Sequence, residues 1–145
     1  MYFVDREKIE EILDYMDKIL EEIGQHSYTS FFEKMGLERI AHVLIESIMD
    51  TGNMMIDGFI MRDPGSYTDI IDILVDEKVL PETEQAAYKE VIELRKMVVK
   101  QYIHVDHDHL LETLKARKAM LEQFSTHIRN YLENELGVAN AFTNK

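Results

Sequence analysis

Cysteine is absent from this chain of 145 residues, which excludes disulfides, thiolate nucleophiles and zinc sites built on sulfur, and fits a reducing compartment. Tryptophan is absent too, and proline (2) and glycine (6) are scarce, so few residues punctuate the chain into turns. No apolar run approaches the roughly 20 residues of a membrane-spanning helix. The N-terminus turns charged within Met-Tyr-Phe-Val-Asp-Arg, unlike a secretory signal. Cations are in deficit: 16 Lys and Arg against 28 Asp and Glu leave a net charge of −12. Such a surface disfavours non-specific attachment to nucleic acid or anionic membrane, although a local basic cleft remains compatible with it. These absences predict a cytoplasmic protein with no membrane partner. Its length predicts one domain over residues 1–137, with 138–145 as a frayed tail.

What is present is helical periodicity. Ile9, Ile12, Leu13, Met16, Ile19, Leu20 and Ile23 recur at steps of three and four, with Asp5 placed to cap the helix and Gly24 to stop it. Ser30-Phe31-Phe32-Glu33 has capping-box spacing and opens a second helix expected to reach about Arg62. Of the glycines inside it, Gly36 offers a break, while Gly52 and Gly58 would allow close helix approach. This helix is apolar on nearly all sides, as befits a central element or one shared with a second subunit. Against that background Glu46, Asp50, Asn53 and Asp57 follow steps of four, three and four, a polar stripe facing either water or buried cations.

Asp63-Pro64-Gly65 reads as a turn, and Ser66-Tyr67-Thr68-Asp69 as the start of a short helix. Pro81 suits the first position of a further helix carrying Ala87, Val91, Leu94 and Val98 on one stripe and Tyr88, Ile92, Val99 and Ile103 on another. Asp106 can cap a last helix bearing Leu110, Leu114, Leu121, Phe124, Ile128 and Tyr131, ending at Gly137. With no strand alternation, the predicted fold is all-α, an up-and-down bundle of four long helices plus one short one.

The segment Leu94 to Asp106 carries the chemistry. Arg95, Lys96 and Lys100 supply positive charge on an otherwise apolar helix, and Tyr102 supplies a hydroxyl. On a regular helix Arg95 and Tyr102, seven apart, share a face, whereas Lys100 lies well around from Arg95 unless the helix is distorted or a second copy completes the site. A plain structural ion pair between Arg95 and Glu46 or Asp50 accounts for the same residues. The cluster His104, Asp106, His107, Asp108 and His109 has residue types that bind metals, but a cap at Asp106 would break helical spacing across it and leave a solvated corner. Paired Glu-x-x-His motifs, a Gly-rich phosphate loop and a nucleophile elbow are all missing. No metal site and no cofactor are expected.

Arg95, four residues, then Lys100, Gln101 and Tyr102 resembles the hallmark of the HepT-like family of the HEPN superfamily: arginine, four to six residues, histidine, any residue, tyrosine. The stretch from Ala41 to Asp57, the turn from Arg62 to Tyr67, and Asp106 four residues past Tyr102 are similar to that family as well. The N-terminal Met-Tyr-Phe-Val-Asp-Arg and the run from Asp57 to Gly65 resemble its YutE-like branch from low-GC Gram-positive bacteria. The resemblance implies a homodimer that sets two motifs in one cleft and acts as a metal-independent RNA endonuclease toxin. It also implies a nucleotidyltransferase antitoxin that adenylylates the motif tyrosine. Carried over, Arg95 would stabilise phosphate charge, Lys100 would occupy the general acid/base place and Tyr102 would be the adenylylation target, with Glu46, Asp50 and Asn53 as supporting neighbours.

The departure is Lys100, where the family has histidine. Attack of a ribose 2′-hydroxyl on the adjacent phosphate needs a group that exchanges protons near neutral pH, and lysine, with a reference pKa of about 10.4, does so only when strongly perturbed. His104, one turn further on, lies beyond the family spacing from Arg95. The sequence therefore predicts a degenerate ribonuclease motif that retains a cleft for phosphate, RNA or a partner. An active toxin and a purely structural interaction module are the alternatives.

Overall fold

Asp5 accepts a hydrogen bond from the Lys8 backbone N–H at 3.0 Å and starts α1, Arg6–Ile23, whose Ile9, Leu13, Met16, Leu20 and Ile23 are buried. The computed structural model describes residues 4–143, and the side chains of 4–135. At the start of α2, Phe31–Gly58, the capping box is complete: the Ser30 hydroxyl accepts from the Glu33 N–H, and the Glu33 carboxylate accepts from the Ser30 N–H. Hydrogen bonds to Glu33 from the Ser27 hydroxyl and from the Ser30 and Thr29 backbone hold its pKa down at about 2.

α2 does not break at Gly36. It ends at Gly58, short of the predicted Arg62, because Ile60 takes a left-handed φ of 57°. The Met61 N–H then reaches back to the Ile56 carbonyl at 2.9 Å, a helix-terminating bond of Schellman type. The expected close approach is real at Gly52, where a Cβ would lie 2.5 Å from Ile70 Cγ2. Ile70 belongs to α3, Tyr67–Asp76, capped by Ser66.

Pro81 precedes a single 3-10 turn, Glu82–Glu84, so α4 is Gln85–Arg95 and starts later than the proline suggested. A π-helical turn, Lys96–Lys100, extends it. After a turn, α5 (His107–Glu122) and α6 (Phe124–Thr143) follow. Gln123 between them stays in the right-handed helical region, so the two act as one long interrupted helix. The described residues thus form four long helical elements and the short α3, all of them helical.

One correction concerns the end of the chain. α6 passes through Gly137, where a stop was expected, and runs to Thr143; residues 144–145 lie outside the described part. A glycine ends a helix readily when it turns left-handed, and no described glycine has a positive φ.

α2 packs against α1, α3, α4 and α5, which explains its apolar circumference. Tyr88 and Phe124 are among the largest fully buried side chains, with ring centroids 5.8 Å apart. The Tyr88 hydroxyl donates to the Met120 carbonyl at 3.3 Å, and burial pushes its pKa up. On α6, Arg129 ties back to α1 through Glu10, Asp14 and Asp17. No helix among the described residues is long and apolar enough to cross a membrane.

Two glycines of α2 should respond oppositely to alanine. Gly36 has nothing within 4 Å of an added Cβ, so Gly36→Ala should raise stability by about 0.5–1 kcal/mol through helix propensity. Gly52→Ala should lose about 1–3 kcal/mol, since the buried Ile70 methyl must move. Urea denaturation of the two variants checks the contrast, and equal shifts of one sign would contradict it.

Candidate functional site

α4 changes its winding directly after Arg95. In the turn Lys96–Lys100 the Gln101 N–H bonds to the Lys96 carbonyl, five residues back, at 3.0 Å. Five α-helical steps of about 100° would leave Lys100 roughly 140° around from Arg95, whereas an i to i+5 turn brings residues five apart onto one face. Arg95 and Lys100 accordingly line one cavity of about 290 Å³, together with Tyr67, Ile92, Glu93 and Lys96. Leu94 and Val98 stay buried, so the distortion changes the polar face without pulling the apolar face out of the core.

Tyr102 is not on this helix, contrary to the expectation that it shares a face with Arg95. The helix ends at Lys100, and Tyr102 sits in the following turn, closed by the His104 N–H on the Gln101 carbonyl at 2.8 Å. Its side chain is 67% exposed and is not among the cavity's lining residues.

The Arg95 side chain is only 20% exposed, so it needs partners. Its Nε donates to Glu46 Oε1 on α2 at 3.0 Å, and its guanidinium carbon lies 4.7 Å from the centroid of the Tyr67 ring, within cation–π range. His42 Nε2 approaches the same Glu46 oxygen at 3.5 Å. Glu46 is therefore the member of the polar stripe that meets the cation. Asp50, Asn53 and Asp57 are exposed. Asp50 instead lines a groove between α1 and α2 with Lys8, Tyr15 and Glu46; desolvation, aided by the Glu46 charge and opposed by Lys8, raises its pKa.

The other cations differ in state. Lys96 pairs with Glu93 at 3.1 Å. Lys100 is exposed, and among the described residues it has no carboxylate within ion-pair distance. The site thus contains two cations paired with carboxylates, Arg95 and Lys96, and beside them Lys100, which has no such partner among the described residues.

Tyr67 was not foreseen as a site residue. It is the first residue of α3, and the turn before it is tightly held. Arg62 grips Asp69 with two hydrogen bonds, 2.8 and 3.0 Å, the Gly65 N–H donates to the same carboxylate at 2.8 Å, and the Asp69 N–H donates to the Ser66 hydroxyl at 3.1 Å. Helical periodicity carries no sign that Tyr67 meets Arg95, because they lie on different elements; the capping sequence Ser66 to Asp69 announced only that a helix starts there.

The histidine cluster dissolves in three dimensions. Asp106 caps α5 by accepting from the His109 N–H at 3.0 Å, His107 turns to Glu38 on α2 at 2.7 Å, and His104 is exposed in the turn. Among the described residues no three His, Asp or Glu side chains are grouped to hold a metal ion.

Comparison with known proteins gives consistent results. A family model described as "Ribonuclease HepT-like" matches residues 9–128. A Bacillus subtilis protein named "Putative RNase YutE" is 51% identical over 143 residues, 98% of this chain and 99% of its own. The solved structure described as "Structure of Cytosolic Protein of Unknown Function YutE from Bacillus subtilis" superposes with a TM-score of 0.92, covering 94% of this chain and 96% of that one. A chain from the "Crystal structure of the toxin-antitoxin with AMP-PNP" shares the fold, with a TM-score of 0.73 at 16% identity, over 83% of this chain and 96% of that one.

The turn that positions Tyr67 can be tested through Asp69, whose pKa is lowered from 3.8 to about 2, chiefly by the Arg62 hydrogen bonds and then by the Gly65 N–H. A depressed carboxylate pKa stabilises the fold above its ordinary value, and that contribution is lost as pH falls toward about 2. In Arg62→Ala the carboxyl ¹³C titration of Asp69 should move up toward 3.8; an unchanged midpoint would show that Arg62 is not the cause.

Proposed function

The chain belongs to the Ribonuclease HepT-like family, and from that premise we propose that it binds RNA phosphate in the cleft beside Arg95 but cleaves RNA slowly or not at all. The observation that carries this reading is Lys100: it stands in the histidine place of the family motif, shares the Arg95 cavity, and is exposed with no carboxylate partner among the described residues. A lysine becomes a general base near neutral pH through desolvation or strong neighbouring charge. Exposed to solvent, Lys100 is placed to act as a point charge for phosphate.

The family resemblance also supports a homodimer with a shared cleft. Phe31 and Phe32, 80% and 86% exposed in the first turn of α2, and Ile103, 76% exposed after the π turn, are apolar side chains that a second copy would cover. Tyr102, at 67% exposure, is open to a nucleotidyltransferase antitoxin of the kind the resemblance implies, with adenylylation of its hydroxyl as the controlling modification. The cytoplasm suits a cysteine-free chain, and the YutE structure from Bacillus subtilis is described as that of a cytosolic protein.

A metal-free RNA cleavage assay tests the proposal. Wild type should cleave slowly, Arg95→Ala should abolish what remains, and Lys100→His should raise the rate on the order of 100-fold or more, the usual contribution of a positioned acid or base. Wild-type cleavage already as fast as that of Lys100→His would overturn it. Sedimentation at micromolar concentration should show a dimer, and a monomer would remove the shared cleft.

A further inference from the structure

The cavity beside Arg95 has a character that phosphate binding alone does not explain. Its walls are almost wholly apolar, made of the Tyr67 ring, Ile92 and the aliphatic stems of long side chains, which expose hydrocarbon along their length and charge only at their tips. Ile92 is 2% exposed and Tyr67 53%, so one wall is firm and the other is open. Arg95, Lys96 and Lys100 stand around this apolar space on a protein of net charge −12. An inorganic anion would use the cations and leave the apolar walls idle. A neutral lipid or an apolar peptide would use the walls and leave Lys100 without a partner.

We propose that this cavity is a nucleobase subsite, in which Tyr67 and Ile92 receive the flat face of one base while Arg95 and Lys100 hold the phosphate attached to the same nucleotide. Single-stranded nucleic acid is bound in this way elsewhere: bases stack on aromatic side chains while cations follow the backbone. The volume of about 290 Å³ lies at the lower edge of small-molecule sites and suits a single base. Glu46 and Tyr67 together orient the Arg95 guanidinium, so the ring that meets the base also fixes the cation that meets the phosphate. This deepens the reading of the cleft as an RNA phosphate site and rests on it.

The probes are the four ribonucleoside 5′-monophosphates and ribose 5-phosphate, which keeps sugar and phosphate but lacks the base. They are titrated into the full-length protein while the Ile92 methyl resonance is followed by NMR. At least one nucleotide should bind about 5- to 150-fold more tightly than ribose 5-phosphate, the range of a base stacked on an aromatic ring, and should shift the Ile92 methyl. Tyr67→Leu should bring the ratio close to one and Tyr67→Trp should preserve it, with helical circular dichroism confirming that both variants fold. Arg95→Ala should weaken nucleotide and ribose 5-phosphate alike.

If ribose 5-phosphate binds but every nucleotide binds equally, the base subsite is wrong and the phosphate reading survives. Nucleotide binding that leaves Ile92 unmoved also overturns the subsite. If neither class of ligand binds, both readings fall.

Discussion

A guanidinium that is four-fifths hidden needs a carboxylate and a polarisable surface, and Arg95 has both. Glu46 reaches it from the central helix α2, and Tyr67 lies beneath it at the start of α3. Three elements distant in sequence are therefore tied at one cation. The cost of leaving a buried charge unpaired is several times the worth of an ordinary surface ion pair, so the arrangement constrains where α3 and α4 sit against α2. The closeness of α2 and α3 at Gly52, with no room for a side chain between it and Ile70, serves the same geometry.

The π turn after Arg95 reconciles two demands that a regular helix could not meet together. Leu94 and Val98 remain in the core, while Lys100 comes around to the cavity of Arg95. Single π turns of this kind are frequently found at functional sites, since they shift a side chain by part of a turn without breaking the helix. Here the shift gathers free positive charge on a molecule that is otherwise strongly acidic, which narrows the places where a polyanion can dwell.

The neighbouring residues differ in what they contribute. Lys96 pairs with Glu93 and Arg95 engages Glu46 through its Nε, so Lys100 is the one of the three with no carboxylate beside it among the described residues. Tyr67 owes its position to Arg62 and Asp69, whose hydrogen bonds are made outside the cavity. Tyr102 belongs to a different surface, the turn that leads into α5. A motif that is contiguous in sequence is thus divided in space between a cavity and an exposed loop.

The amino-acid sequence by itself determined the helices and most of their ends, because capping and apolar periodicity are local: Asp5, Ser30, Ser66 and Asp106 cap as their spacing predicts. It also brought out Arg95, Lys100 and Tyr102, through their resemblance to a family motif, and offered Glu46 or Asp50 as a partner for the arginine. Left-handed Ile60 and the π turn were not legible, since propensity does not favour either and both answer to packing elsewhere. Only the tertiary structure decided that Lys100 joins Arg95 while Tyr102 leaves it, that Glu46 rather than Asp50 makes the ion pair, and that Tyr67 closes the site. Each of these is a contact or a winding set by neighbouring elements, and helical periodicity describes one element at a time.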